Sequence, residues 1–343
     1  MTADARFYEQ TGEEQTRRLA ELGKVALAEW GLGGADLSPV AYRENMTFKV
    51  DGGKRGAFAL RIHQANYRTD AQIKSELDMM SYLNGEGIRT PTVVPTNGGA
   101  LFVTAGHGEV DEPRQCDLFE WIDGKPLRET GAAFSTPLAE LTESYVEVGR
   151  IAASIHNALE RWERPTGFAR PAWDCEGMFG VTAHLGDFRR LMDISDDQRR
   201  LLLDISEKVA RVLNALGQSP DRFGLSHGDF LAENIFVCDD GIRLLDFDDS
   251  GESWYLLDIV TAVFDLLESP AFEPCLAAMI GGYRESRALP EEHLATLPAF
   301  YLGRILSYLG WCAKKTHMPQ TAWMKPVLLA AAEKQGAAFL GGS

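Results

Sequence analysis

Asp229, Asn234 and Asp246 are the residues whose types and spacing point most directly to chemistry. They lie in Leu225-Ser226-His227-Gly228-Asp229-Phe230-Leu231-Ala232-Glu233-Asn234-Ile235-Phe236-Val237 and in the segment after it. That segment runs Asp240-Gly241, then Ile242-Arg243-Leu244-Leu245-Asp246-Phe247-Asp248-Asp249. An Asp-Gly pair between two apolar runs is a strong hairpin signal. Folding the chain there brings Asn234, at the start of one strand, close to Asp246, at the end of the other. An amide oxygen and a carboxylate at one open end are hard donors, suited to Mg²⁺ holding ATP phosphates. Asp229 precedes Asn234 on the same loop. It can reach a substrate hydroxyl while the metal neutralises a transferring phosphoryl group. Carboxylates that merely decorate a hairpin are the plainer alternative. Their spacing beside strands of Ile, Phe, Val and Leu argues against it.

The elements that must position these residues follow from periodicity. Residues 13–30 read as an amphipathic helix with Leu19, Leu22, Ala26 and Trp30 on one side, ended by Gly31-Leu32-Gly33-Gly34. Because those glycines follow a helix and not a strand, they are no dinucleotide loop. Strand-like runs come next at Leu37–Tyr42, Met46–Val50 and Ala57–Ile62. Thr69 with Gln72 reads as a capping box, opening a helix with Ile73, Leu77, Met80 and Leu83 on its apolar face. Val93–Pro95, Leu101–Thr104 and Asp117–Ile122 read as extended. After Gly124 long helical stripes take over, at 138–160 (Leu138, Leu141, Tyr145, Val148, Ala152, Ile155, Leu159) and at 196–216 (Leu201, Ile205, Val209, Val212, Leu216). Two short strands at 234–246 interrupt the helices, which then run to the end. A strand-rich first third and a helical remainder predict an α+β chain of two lobes, 1–122 and 123–343, joined near Trp121.

Composition narrows the class. The 343 residues suit two lobes, and 45% hydrophobic with 24% charged residues is ordinary for a globular enzyme. A net charge of −16 repels phosphate backbones, so nucleic acid is an improbable partner. No apolar run is long enough to span a membrane, and acidic residues such as Glu9, Glu13 and Glu14 leave no signal core. The expectation is a cytoplasmic protein. Cys116, Cys175, Cys238, Cys275 and Cys312 are scattered and form no CxxC pair, so buried thiols are expected and not a zinc site or a disulfide framework.

The stretch around Asp229 resembles the catalytic core of the aminoglycoside phosphotransferase and choline kinase superfamily, remote relatives of protein kinases, with a homoserine-kinase-like branch. That family uses His-Gly-Asp-x-x-x-x-Asn, then Asp-Phe-x-Asp one strand later. The resemblance implies a protein-kinase-like bilobal fold and the cofactors ATP and Mg²⁺. Carried onto this chain, Asp229 resembles the catalytic base, and Asn234 and Asp246 the metal ligands. Asp248 either assists the metal or meets the substrate. His227 supports the loop, and Asp258 resembles an aspartate that braces it from a buried helix. Ala59-Leu60-Arg61-Ile62 occupies the place of the strand carrying the phosphate-binding lysine, with arginine in its stead. Glu76 shares the apolar face of its helix and is the natural partner of Arg61. Arg43-Glu44-Asn45-Met46-Thr47 resembles the nucleotide loop, where Asn45 and Thr47 would shape the turn; a plain hairpin turn is the alternative. Phe119-Glu120-Trp121-Ile122-Asp123-Gly124 resembles the hinge, where adenine would meet backbone groups near Glu120 and Ile122.

The acceptor is less legible. His156 lies on an apolar helix face and reads as a buried structural histidine. Trp254, Tyr255, Tyr301, Arg304, Tyr308 and Trp311 form two aromatic groups after the core. Helix packing explains them, and the sharper reading is a substrate pocket that includes Trp254, Tyr301 and Arg304. The leading expectation is a kinase for a small-molecule hydroxyl, on an amino alcohol, a hydroxy amino acid or an aminoglycoside-like compound. A bacterial Ser/Thr protein kinase and a non-catalytic nucleotide-binding module are the alternatives.

Overall fold

Thr11 opens the first helix, α1 (Gly12–Leu27), by accepting the Glu14 amide on its hydroxyl. Leu19, Leu22, Ala26 and Trp30 are buried as their spacing predicts, and the 3₁₀ turn Ala28–Trp30 that follows α1 ends at Gly31, at a φ of 69°. The computed structural model describes residues 6–128 and 136–342. It divides into two units. The first holds the chain up to Lys125, Glu163–Ala169 and Val237–Asp248; the second holds Pro126–Trp162, Arg170–Phe236 and the chain from Asp249.

The first unit is built on a five-stranded antiparallel sheet of β1 (Asp36–Tyr42), β2 (Met46–Asp51), β3 (Ala57–Ile62), β4 (Phe102–Ala105) and β5 (Arg114–Glu120), in the order β1-β2-β3-β5-β4. Phe48, Leu60, Ile62, Cys116 and Leu118 from the sheet share one core with Leu22, Ala26 and Trp30. Each such large apolar side chain stabilises the unit by about 1.5–3 kcal/mol relative to exposure. The second helix, α2 (Asp70–Gly85), carries the expected capping box: Thr69 Oγ1 accepts from the Gln72 amide and Gln72 Oε1 accepts from the Thr69 amide. Its buried face holds Ile73, Leu77, Met80, Leu83 and also Glu76, which is fully buried.

Boundaries shift by a residue in several strands and by more in two places. The predicted strand at Asp117–Ile122 is β5, which starts at Arg114 and ends at Glu120, because Arg114 and Asp117 are buried charges that break the apolar alternation. Val93–Pro95 contributes a single bridge, Val93 to Phe119.

The second unit is mostly helical. β6 (Lys125–Pro126) leads into it, and α3 (Leu138–Arg161) and α5 (Asp196–Leu216) match the two predicted stripes. The stripes are slightly displaced. Leu138 is exposed, and Leu202 and Leu213 are buried where Leu201 and Val212 are only half-buried. The helices α4 (Cys175–Phe179), α6 (Tyr255–Ala262), α7 (Phe272–Arg284), α8 (Glu291–Leu294), α9 (Leu297–Lys314) and α10 (Gln320–Gly341) complete it. Gly149 on α3 lets that helix touch α7, since a Cβ there would lie 2.1 Å from the Met279 carbonyl oxygen.

A small sheet escaped the sequence reading. β7 (Ala172–Trp173), β8 (Phe223–Ser226) and β11 (Gly251–Trp254) order as β7-β11-β8, so a strand and not a helix follows Asp249. Runs of two to four residues are too short for periodicity to register. Between them, β9 (Ile235–Cys238) and β10 (Gly241–Leu244) form the expected hairpin about Asp240-Gly241. Cys116, Cys275 and Cys312 are buried thiols, whereas Cys175 and Cys238 are half-buried.

Candidate active site

In the first unit, β3 and β5 are in register at Arg61 opposite Asp117. Asp117 accepts from Arg61 Nε at 3.0 Å and from Nη2 at 2.7 Å, a two-point fork of the kind that arginine makes with carboxylates. Glu76 reaches the same guanidinium from α2, its Oε1 accepting from Nη1 at 2.8 Å. The expected Arg61–Glu76 pair is present, and it is one side of a larger network. His63, just past the end of β3, donates its Nε2–H to Asp117 Oδ2 at 2.9 Å. Burial alone pushes the Asp117 carboxyl up, but Arg61 and His63 outweigh it and hold the group at about 2. Burial opposes the charge on Arg61, and Asp117 and Glu76 overcome it, raising that pKa well above the ordinary arginine value.

Asp117 and His63 were missed. The available signal was an ionisable residue inside Cys116-Asp117-Leu118-Phe119, which cannot be buried without a partner. The same reasoning did single out Asp258.

The turn before β2 is held to the end of the 237–248 segment within the same unit. Asn45 Oδ1 accepts from the Gln64 amide at 3.1 Å, and its Nδ2 donates to Asp248 Oδ2 at 3.3 Å. Asp248 is buried and also accepts from Arg68, by Oδ1 from Nε at 3.3 Å and by its carbonyl from Nη2 at 2.9 Å. Its carboxylate therefore ties Asn45 and Arg68 together, a linking role that sequence reading did not consider. Thr47 lies opposite Arg61 on β2. Asp246 has a φ of 62°, and its Oδ1 accepts from the Asp248 amide at 3.4 Å. A non-glycine residue in the left-handed region is strained, and such residues collect at functional sites. Glu120 closes β5, its amide donating to the Thr92 carbonyl at 3.0 Å. Ile122 lies beyond the strand.

The second unit holds the loop after β8. Gly228 has a φ of 79°, and a Cβ there would lie 2.3 Å from the Asp249 carbonyl oxygen, so only glycine fits between His227 and Asp229. Asp258, fully buried on α6, accepts from the His227 amide at 3.0 Å and the Gly228 amide at 2.9 Å. Its Oδ2 also accepts from His156 Nε2 at 3.0 Å, while His156 Nδ1 accepts from the Tyr283 hydroxyl at 2.9 Å. Burial lowers the His156 pKa, which favours the neutral ring. Burial would raise Asp258, but hydrogen bonding from His156 prevails and lowers it. His227 is buried too, its Nδ1 accepting from the Asp229 amide at 3.2 Å.

Both carboxylate oxygens of Asp229 are held. Oδ1 accepts from Arg304 Nη2 at 2.7 Å, and Oδ2 accepts from Asn234 Nδ2 at 3.0 Å. Asn234 Nδ2 also donates to the Asp229 carbonyl at 2.9 Å, so its Oδ1 is turned away from Asp229. Trp254 is buried, donates its indole N–H to the Gly217 carbonyl at 2.7 Å and lies edge-on to Phe223 and Phe300. These contacts pack it against its neighbours. Tyr301 is likewise buried, with its ring edge-on to Phe272.

A sheet-based first unit and a helical second unit, with the motifs just described, make this a protein-kinase-like α+β fold. The chain belongs to the phosphotransferase enzyme family, whose model matches residues 36–294. It is similar in structure to a microcompartment-associated aminopropanol kinase, with 31% identity, 93% of this chain and 96% of that one covered, and a TM-score of 0.80. It is similar in sequence to amicoumacin kinase from Bacillus subtilis (strain 168), 27% identical over 289 residues, 80% of this chain and 79% of that protein. Homoserine kinase from Burkholderia multivorans (strain ATCC 17616 / 249) is 27% identical over 256 residues, 70% of this chain and 68% of that protein. The chain is thus a kinase, of a family of small-molecule phosphotransferases that act on hydroxyl groups. No helix among the described residues is long and apolar enough to cross a membrane.

Proposed function

We propose that the chain transfers the γ-phosphoryl group of ATP, bound with Mg²⁺, to a hydroxyl of a small molecule in the cytoplasm. The observation that carries this reading is the hydrogen bonding of Asn234. Its amide nitrogen is spent on Asp229, so its Oδ1 is the atom offered to a cation. Asp246 adds a carboxylate on a backbone turned into the left-handed region. Among the described residues no group of three His, Cys, Asp or Glu could hold a metal alone. An amide oxygen and a carboxylate are donors of the kind Mg²⁺ takes, one or two from protein with phosphates and water completing its shell. The ion would neutralise charge on the transferring group.

Asp229, fixed at both oxygens, orients the acceptor hydroxyl and receives its proton. Arg61, aimed by Glu76 and Asp117, supplies positive charge to the phosphates. Asn45 and Thr47 shape the turn whose amides cover them, and adenine meets the backbone near Glu120 and Ile122. His227 and Asp258 keep the loop in place.

The test is Asp246→Asn. Asparagine tolerates positive φ, so the fold should survive while the charge is lost. MgATP affinity by calorimetry is expected to fall at least about tenfold, equivalent to ~1.4 kcal/mol. ATP affinity in excess EDTA should change little. Equal MgATP affinity in the variant and the parent would remove Asp246 from the metal site.

A further inference from the structure

Arg304 and Tyr308 are four residues apart on α9 and therefore share a face. Arg304 is 1% exposed, and its guanidinium stacks 4.6 Å from the Tyr308 ring centroid, with Trp173 at 5.9 Å. Nη2 is committed to Asp229, the Tyr308 hydroxyl interacts with the guanidinium, and the buried Nε and Nη1 make no hydrogen bond of ordinary geometry. Buried polar groups in folded proteins are nearly always bonded to protein, water or ligand. Buried guanidinium donors without a well-formed bond, beside the Tyr308 hydroxyl and the carboxylate assigned to the acceptor hydroxyl, mark a place prepared for a partner.

From this we infer that Arg304 and Tyr308 form an acceptor subsite for a carbonyl oxygen, so that the substrate is a hydroxy acid or hydroxy amide and not a bare amino alcohol. The inference rests on the proposed phosphoryl transfer at Asp229 and names its substrate class. A guanidinium donates only, so the group it lacks is an oxygen acceptor. Nη1 shares the outer edge of the guanidinium with Nη2, which places an oxygen bound there alongside the Asp229 carboxylate. The carbonyl thus belongs on a carbon neighbouring the one that carries the hydroxyl. Burial opposes the Arg304 charge, while Tyr308, Asp229 and Asp249 raise its pKa, so the cation persists. With Asp229 and Asp249 near one arginine, a neutral amide carbonyl is held as readily as a carboxylate.

The experiment compares 1-amino-2-propanol, L-threonine and L-threoninamide, which differ only in the group on one carbon, by steady-state kinetics with MgATP. The expected result is a kcat/KM at least about tenfold higher for threonine or threoninamide, an asymmetry of the kind that built hydrogen-bonding sites give. The two carbonyl compounds distinguish a carboxylate from a neutral carbonyl. Tyr308→Phe should shrink that ratio mainly through KM, Arg304→Met should abolish it, and Arg304→Lys should restore part of it. If Arg304→Met is inactive, calorimetric binding of the same compounds to the MgATP-loaded variants gives the ratio directly. Equal or better use of 1-amino-2-propanol, or a ratio unchanged in Tyr308→Phe, overturns the subsite. So does failure of every compound to bind a protein that still takes up MgATP, and that outcome leaves the proposed phosphoryl transfer standing.

Discussion

Asp229→Ala is expected to lower the turnover of phosphoryl transfer by about 10²–10⁴-fold, the span that general-base groups contribute. MgATP affinity should stay within about threefold, because an interaction made chiefly in the transition state lowers kcat and not nucleotide binding. The geometry adds a complication. Asp229 anchors Arg304 and Asn234, and deleting it strands the buried Arg304 cation. The Asp229 side chain is 21% exposed, so the cost to stability should fall at or below the low end of the buried-pair range, about 3 kcal/mol. Asp229→Asn separates the two effects. Its carbonyl can still accept from Arg304, and it cannot take a proton from the acceptor hydroxyl. A comparable loss of turnover in Asp229→Asn, with a smaller loss of thermal midpoint, is the expected pattern. Near-normal turnover in either variant would end the assignment.

Asp117→Ala should be the most damaging change to stability in the first unit, at about 3–5 kcal/mol in urea unfolding, the usual cost of breaking a buried ion pair from one side. It leaves Arg61 with Glu76 alone and the buried His63 ring without its acceptor. The pH dependence follows from the same group. The Asp117 carboxyl is held at about 2 in the folded protein, against 3.8 ordinarily. The native state thus binds the proton less tightly than the unfolded chain. The stabilisation, about 2 kcal/mol by linkage, is complete above about pH 4 and disappears as the pH falls toward 2. Asp117→Asn should flatten the stability curve over that window; an unchanged curve would show that Asp117 is not the group responsible. Arg61→Lys should retain part of the activity, since an ammonium supplies charge but cannot fork to Asp117 and also reach Glu76. The Arg61→Ala and Glu76→Ala effects on kcat/KM should fail to add if the pair acts as one unit.

Elements with strong local signals were legible in the sequence. Thr69 and Gln72 cap α2 because a hydroxyl and an amide three residues apart satisfy each other's backbone partners. Glu76 was traced to Arg61 because a carboxylate on an apolar helix face needs a cation. His156 and Asp258 were recognised as buried and bonded for the same reason. What escaped depends on strand register. Asp117 meets Arg61 only because β3 and β5 pair at that position, and nothing local to either strand fixes that offset. β8 and β11 are four residues each, below the length at which alternation can be told from chance. The motif around Asp248 points to the metal or the substrate, whereas its links to Asn45 and Arg68 span long stretches of chain and leave no local mark.

The reaction proposed for this chain makes a phosphate ester from ATP and a hydroxyl compound, with a divalent ion in attendance. Phosphorus-31 NMR of the purified protein with ATP, MgCl₂ and a panel of hydroxyl compounds observes that ester directly. The account predicts a new phosphomonoester resonance that grows with the β-phosphate signal of ADP, vanishes when EDTA removes the metal, and is absent with Asp229→Ala. Inorganic phosphate alone from every compound, or an ester that forms as fast in EDTA, would contradict it.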